Sequence, residues 1–397
     1  MNKTNENRVV KLSEIGILIG GNGFPLQYQG NDDGVYPFYK VSDMNSLGNE
    51  IYMKESNNYV NNDVVNNLKL NVLPKNAIVF AKVGAAVMLE RKRLLSKDSI
   101  IDNNMMALIV NDKFYYKYIY HSLVNEKLHL LSNTGAMPSI NAKNMYNLEL
   151  FVPSYNDQVK IDEILTTWDL AIDKIIKIKQ ELTTFKDSII KKYTLPSYIV
   201  KQEGMEWIEV KLKDILVEEN EKTTINNQYD ILTSTVDSIV LQSEYFNRQI
   251  ASKNNKGYKI VKKDRLVISP QNAWMGNINI NTKYDIGIVS PSYKIYKLND
   301  VDCKYFKHYV KTEMFRVLID SNSQTGASIV RKSLKIGDLL STTLKLPDID
   351  IQKKLGSYFD EIDELIIKYN ELHQEYERQK QGLMQQLLTG KMKIEKD

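Results

Sequence analysis

The chain has 397 residues, 43% hydrophobic and 26% charged, with a net charge of +4 and one cysteine. That is long enough for two domains with substantial cores, and the composition is ordinary for a globular protein. No apolar run approaches the ~20 residues that span a bilayer, and the opening MNKTNENRVV lacks a signal-peptide core. Cys303 alone can form no intramolecular disulfide, so a soluble chain of a reducing cytoplasm, without a membrane partner, is expected.

The first element, VVKLSEI at residues 9–15, has an echo in VKLKDI at 210–215. Next comes IGGNGFPLQYQG at 19–30, which lacks the GxGxxG spacing. Pro25 would spoil a helix N-terminus docking a pyrophosphate, so the stretch is expected to be a loop. NAIVFAKVGAAVML (76–89) and ALIVNDKFYYKYIY (107–120) resemble strand material, with a short helix expected over 115–125. LELFVPSYNDQ at 148–158 then ends a strand-like run at Pro153, with Gln158 five residues later.

A long helix is expected from about 156 to 193, on the apolar stripe Ile161, Leu165, Trp168, Ile172, Ile175, Ile178, Leu182, Phe185 and Ile189. The connection TLPSYIVKQEGMEW follows at 194–207, marked by Pro196 and Gly204. In the second half, DRLVISP, NININT, IGIVSPSYKIYKL and KYFKHYV look like strands, with a helix expected over 303–318. TLKLPDIDIQ at 343–352 repeats the proline and the glutamine, as Pro347 and Gln352. A second helix, about 349–388, carries Leu355, Phe359, Ile362, Ile366, Tyr369, Leu372, Tyr376, Gln379 and Leu383, each 194 positions after its counterpart.

Both stripes break their spacing at the same place: Ile172, Ile175 and Ile178 in one, Ile366, Tyr369 and Leu372 in the other. A shared irregularity argues for duplication more strongly than shared regularity, which any amphipathic helix shows. SNTGA at 132 and SNSQTGAS at 321 also correspond. The chain therefore reads as a tandem repeat of one unit, giving two similar mixed α/β (α+β) globular domains. They are joined and spaced by two long antiparallel, coiled-coil-like helices in a pseudo-twofold arrangement. A ~35-residue helix is ~50 Å long, and an isolated helix with such a stripe is unstable in water, so each helix is expected to pack on the other.

Charge is unevenly spread: +2 over residues 1–152, zero over 153–204, +5 over 205–347 and −3 over 348–397. That favours globular parts facing a polyanion and helices facing protein.

Chemistry-bearing motifs are missing. The nine prolines are isolated, which excludes the Asn-Pro-Pro-aromatic motif of amino-methyltransferases, and there is no GxxxxGK[ST], GxSxG or HExxH. His121, His129, His308 and His373 are scattered and make no zinc pattern with Cys303. Glu90-Arg91-Lys92 fits half of a nuclease signature without an acidic partner suitably placed. No catalytic centre and no metal site is expected.

The repeated VKL-x-[DE]-I opening, the strand ending in proline, the glutamine, the long helix and the closing KQGLMQQLLTGK together resemble the specificity subunit of type I restriction–modification systems. Gly23-Phe24-Pro25, Tyr28-Gln29-Gly30 and residues 36–44 resemble one subgroup of its first target-recognition domains. Residues 243–246, 250–252, 257–261 and 288–291 resemble a common second one.

The resemblance implies a first target-recognition domain over 1–152 and a spacer helix over 153–196. A second domain with its connector then covers 197–347, and a second spacer helix with tail covers 348–397. Each domain would read one half of a bipartite site in double-stranded DNA. The helices would dock two methyltransferase (modification) subunits, which hold the S-adenosylmethionine that this chain lacks. Motor-nuclease (restriction) subunits would join for defence against foreign DNA.

Reading base edges needs amides, hydroxyls and Arg or Lys on loops. The candidates are Asn22, Gln27, Tyr28, Lys40, Ser42, Lys82, Arg91 and Arg93, then Ser234, Gln271, Asn272, Trp274, Ser292, Tyr293 and Arg331. Trp274 is placed to stack or wedge beside a flipped adenine. For helix and partner contacts they are Ile161, Leu165, Trp168, Ile172, Leu182, Leu355, Phe359, Ile362, Ile366, Leu372 and Leu383. The competing expectations are a coiled-coil adaptor with protein-binding ends, or an enzyme with an unrecognised site.

Overall fold

The computed structural model describes residues 7–133, 137–194, 206–246, 254–325 and 332–394. Most of the connection at 194–207, the centres of the two Ser-Asn loops, residues 250–252 and Arg331 lie outside the described residues. The chain forms two compact units. The first comprises residues 1–174 and 373–397, and the second residues 175–372.

The echo of residues 9–15 in 210–215 is one zipper used twice. Strand Arg8–Lys11 pairs antiparallel with Glu149–Val152, and Trp207–Lys211 with Thr343–Pro347. Each zipper joins the start of a globular part to its end. After each opening strand comes one helical turn, Leu12–Ile15 or Leu212–Ile215, which buries its two apolar residues.

The repeated Pro–Gln spacing also has a physical reason. The Gln158 side chain donates to the Pro153 carbonyl at 2.9 Å and accepts the Tyr115 N–H at 2.8 Å. Gln352 does the same with the Pro347 carbonyl at 2.9 Å and the Asp302 N–H at 3.0 Å. Both amides are buried, so each satisfies two backbone groups that water cannot reach. The clamp locks the start of the long helix to the segment leading into the domain's own short helix, Tyr116–Asn125 or Cys303–Tyr309.

Between the zippers lies one sheet plan. In the first unit the order is Gly16–Gly20, Met105–Val110, Ile78–Ala81 and Lys92–Leu95, with Tyr52–Met53 added parallel at the edge. In the second it is Leu216–Glu219, Lys294–Leu298, Arg265–Ile268 and Ile278–Ile280. The central strands are buried on both faces. Ile78 and Phe80 point to the core shared with the long helices, while Val79 points to a second core with Tyr39 and Met53. Two buried faces make the strand read as a continuous apolar run rather than an alternating one.

Four expectations are corrected. The end of residues 76–89 is a 3₁₀ turn, Ala85–Leu89, because Gly84 turns the chain at φ 79° just after the strand. KYFKHYV is helix, not strand, and the helix expected over 303–318 breaks at Val310–Thr312, where Thr312 caps a second helix, Glu313–Ser321. The second half of 107–120 is likewise helical from Tyr116.

The long helices are Tyr155–Lys192 and Ile349–Leu387. Within the first unit, Trp168 meets Tyr376 edge-on at 5.2 Å and Lys380 pairs with Asp169. Within the second, Lys186 pairs with Asp363 and Phe185 meets Tyr358 at 6.4 Å. Lys380 and Asp363 lie 194 positions after Lys186 and Asp169, so the two ion pairs are one interaction and its reciprocal. In the first unit Ile161 and Leu165 share a core with Met384 and Leu387 while Trp168 meets Tyr376, so the partner index falls as the other rises, which is antiparallel pairing.

The stripes are shared between helix pairing and domain core. Ile161 and Leu165 join Met384, Leu387 and Leu388 in the first globular core, with Leu383 against it. Phe359 joins the second core, with Leu355, Ile189 and Ile190 against it. Ile172, Ile175 and Ile362 are buried outside these clusters, whereas Leu182 and Ile366 are half-buried and Leu372 is exposed. The closing tail turns at Gly390 (φ 73°), where a Cβ would stand 2.5 Å from the Phe151 ring.

Candidate nucleic-acid interface

In the first unit the glycine-rich loop is built by close backbone approach, not for phosphate. A Cβ on Gly21 would stand 1.8 Å from the Asp102 carbonyl oxygen, and Asn22 N–H donates to the Ile101 carbonyl. The loop then stacks Phe24 on Phe38 at 3.7 Å and turns through Leu26–Tyr28. Gln29 closes it, donating to the Phe24 carbonyl and accepting from Lys40, whose ammonium lies 5.8 Å from the Phe24 ring. Gln27 is exposed and Tyr28 half-buried on this braced turn.

Ser42 is exposed on the adjoining 3₁₀ turn Val41–Asn45. Asp43 and Asp102 lie beneath, and burial holds both carboxyls above their ordinary range. Lys82 reaches over Gly20, where a Cβ would come within 3.2 Å of its ammonium. Arg93 is tied down through the carbonyls of Lys92 and Met44, and burial lowers its pKa. Asn22, Lys40, Ser42, Lys82 and Arg93 are thus gathered around one end of the sheet, and the Asn22 side chain is already engaged by the Asn71 N–H.

The Glu90–Lys92 triplet is structural. Glu90 accepts from the Leu128 and His129 amides, from the His129 ring at 2.7 Å and from Lys92. Burial pushes its carboxyl up, but the hydrogen bonds from Lys92 and His129 win and hold it below its ordinary value. Arg91 between them is half-buried at the same turn. Among the described residues no cluster of side chains could hold a metal ion.

In the second unit Gln271, Asn272 and Trp274 share one turn after strand Arg265–Ile268, and the Trp274 indole donates to the Gln271 carbonyl at 3.2 Å. Lys332 lies 5.9 Å from the Trp274 ring. Ser234 is buried beneath, its hydroxyl accepting from the Asn279 side chain at 2.7 Å, so it supports the surface rather than lining it. Ser292 is exposed on the turn before Lys294–Leu298, and Lys259 donates to the Tyr293 carbonyl at 2.8 Å.

The repeated Ser-Asn loops sit at equivalent places. In the first unit Ile140 N–H donates to the Lys82 carbonyl and Gly84 N–H to the Pro138 carbonyl. In the second, strands Ser323–Thr325 and Lys332–Leu334 form a hairpin, and Leu334 N–H donates to the Pro270 carbonyl. Each loop is hung beside the 3₁₀ turn that follows a central strand, Ala85–Leu89 or Ala273–Met275. Exposed Met88, Leu89, Leu130, Met137 and Met275 also belong to these tips. Sequence reasoning missed them because apolar residues in a hydrophobic stretch read as core, and Lys332 because it follows a stretch without periodicity. Their one signal was position, next to the repeated Ser-Asn loops.

Residues 4–184 match the family described as type I restriction modification DNA specificity domain. The MjaVIII type I restriction enzyme specificity subunit of Methanocaldococcus jannaschii is 22% identical over 336 residues, 76% of each chain. The EcoR124I/EcoR124II specificity subunit of Escherichia coli is 26% identical over 173 residues, 41% of each. Among solved structures, the type I restriction–modification S subunit from M. genitalium superposes with a TM-score of 0.56 at 13% identity, covering 98% of this chain and 97% of that one. A chain from a study of complex assembly and conformational transition of the type I system gives 0.55 at 12%, covering 99% and 100%.

Proposed function

We propose that this chain is a specificity subunit of a type I restriction–modification system and that each of its two units reads one half of a bipartite DNA site, a reading supported by the family match over residues 4–184 and by the similar specificity subunits. The observation that carries the reading is the repeat itself. One sheet order, one zipper and one glutamine clamp recur beneath two unlike surfaces. A duplicated frame with diverged tips suits two different half-sites.

The first unit would present the braced Leu26–Tyr28 turn with Lys40 and Ser42. The second would present Gln271, Asn272 and Trp274. Amides and hydroxyls at these turns suit base edges in the major groove, while Lys82, Arg91 and Lys332 suit phosphates. A helix of 38 residues is ~57 Å long, roughly the length of ~17 base pairs, so unread bases would lie between the half-sites.

Exposed Leu170, Leu365, Ile367 and Leu372 on the long helices support their use as docking surfaces for two methyltransferase subunits. In this reading S-adenosylmethionine and methyl transfer belong to those partners, restriction to motor-nuclease subunits, and the chain itself transfers nothing. No helix among the described residues is long and apolar enough to cross a membrane, and a cytoplasmic assembly on DNA is the setting proposed. Net charge is small, so the lone chain should hold DNA weakly and with a shallow salt slope.

The test is co-expression with a type I methyltransferase subunit that it assembles with, followed by direct sequencing of modified adenines. A two-part motif with an unread gap is expected. Modification without such a motif, or unchanged when this chain is deleted, would refute the reading.

A further inference from the structure

We propose that the two tips, Met88–Leu89 in the first unit and Trp274–Met275 in the second, enter the duplex as apolar wedges that each unstack a base step in their own half-site. The proposal rests on the reading of both units as DNA readers.

The two tips are one element used twice. Each is a 3₁₀ turn between the same two strands of the sheet, Ala85–Leu89 after Ile78–Ala81 and Ala273–Met275 after Arg265–Ile268. Each is anchored by one buried small or branched residue, Val87 or Ala273. Each is closed by a residue in the left-handed region, Glu90 at φ 53° or Gly276 at φ 99°. Glu90 is not glycine, and this conformation costs about 1–3 kcal/mol unless the surroundings hold it. Here the Glu90 carboxylate is held by two amides, the His129 ring and Lys92. Gly276 is held from behind by Lys311, which donates to the Gly276 and Val236 carbonyls. Both tips are therefore braced turns.

What they expose is apolar. Met88 and Leu89 are each 55% exposed and Met275 45%, and beside the first tip Leu130 and Met137 are 72% and 65% exposed. Single exposed apolar residues need no explanation, but the group at the first tip does, and at the equivalent tip of the second unit Met275 is exposed beside Trp274, which is half-buried against the core. Cations flank the group: Lys82 and Arg91 in the first unit, Lys332 over the Trp274 ring in the second. The nearby Glu90 carboxylate is already committed inward, and Lys332 is itself paired with Asp320.

An exposed apolar turn beside cations suits a polyanion with an apolar stack inside it. Side chains such as Leu and Met inserted between base steps kink duplexes in this way. The cost of unstacking depends on the step, lowest at pyrimidine–purine steps. The wedges would thus add sequence preference where no hydrogen bond is made.

The experiment uses this chain assembled with its methyltransferase subunits, on a duplex carrying the mapped two-part motif. 2-Aminopurine is placed in turn at each position of either half-site. The paired variants are Met88→Ala with Leu89→Ala, and Trp274→Ala with Met275→Ala. Each pair is expected to abolish the fluorescence rise at one step of its own half-site only, and to weaken binding roughly tenfold or more. Assembly with the methyltransferase, followed by gel filtration, should be unchanged, and Trp274→Phe should keep the signal.

Unchanged fluorescence and affinity in both paired variants overturn the wedges while leaving the DNA reading intact. Loss of assembly reassigns the tips to protein docking. A wild-type complex that shows no sequence preference on duplex DNA sinks the underlying reading as well.

Discussion

In the first unit His121 meets Asp162 of the long helix at 3.1 Å, and Thr166 one turn later donates to the same carboxylate. In the second unit the counterpart of Asp162 is Gly356 and the counterpart of Thr166 is Asp360, which His308 meets at 2.8 Å. The carboxylate has moved one helical turn. Gly356 is required where the acid stood before, because a Cβ there would stand 2.5 Å from the Tyr305 amide nitrogen. The zipper, the glutamine clamp and the sheet order did not move at all. The difference teaches that the frame is constrained by backbone groups with no other partner. Side-chain pairs only need some partner within reach, and loops need none.

That contrast can be broken at its strongest point first. Gln158→Ala should expose the Tyr115 N–H and the Pro153 carbonyl to an apolar surrounding without partners. At ~1–3 kcal/mol per orphaned group, the cost is about 2–6 kcal/mol. Gln352→Ala should cost the same in the second unit. Amide exchange at Tyr115 and Asp302, with thermal unfolding, checks both; a loss in only one unit would show that the clamps are not equivalent.

A second test sharpens the side-chain difference. Burial drives the His308 pKa down to about 4 from 6.5, with Lys186 and Lys307 adding to the effect and Asp360 and Asp363 opposing it beside the Phe359 ring. Above pH 6.5 the ring is neutral whether the chain is folded or not, and stability is unaffected. As pH falls from 6.5 towards 4 the unfolded chain takes up a proton that the folded one refuses, so stability is lost, by about 2–3 kcal/mol. Urea unfolding across that window should show the loss, and His308→Gln should flatten it. A variant with an undiminished slope would place the titration elsewhere.

The smallest effect concerns the reciprocal ion pairs. Reversing one partner, Asp169→Lys or Lys186→Asp, should cost about 1 kcal/mol, since these pairs are partly exposed. Reversing both partners of a pair should recover most of it, and double-mutant cycles measure the coupling.

The frame was legible because its parts recur. The opening VKL recurred, and the proline, the glutamine and the broken stripe matched at a fixed offset; the VKL proved to be a paired strand, the proline and glutamine a clamp, and the stripe a long helix. KYFKHYV misled because aromatic and β-branched residues favour strands by propensity. In the fold they form the face of a short helix against the core, with Tyr305, Phe306 and Tyr309 buried. Leu372 kept the stripe in sequence yet is exposed, since periodicity shows a face and not what covers it. Ser234 was chosen as a polar loop residue and is buried under Asn279, because polarity says nothing of depth. The tips at Met88 and Met275 were illegible for the opposite reason, being apolar and outside.

The central claim is that each unit reads its own half of the site. Replacing the insert between the zipper strands of the first unit, residues 12–148, with that of a type I restriction–modification specificity subunit of known target tests it most directly, with modified adenines mapped before and after. One half of the motif should change while the other half and the gap between them stay as they were. A motif altered in both halves, or in neither, would contradict the account.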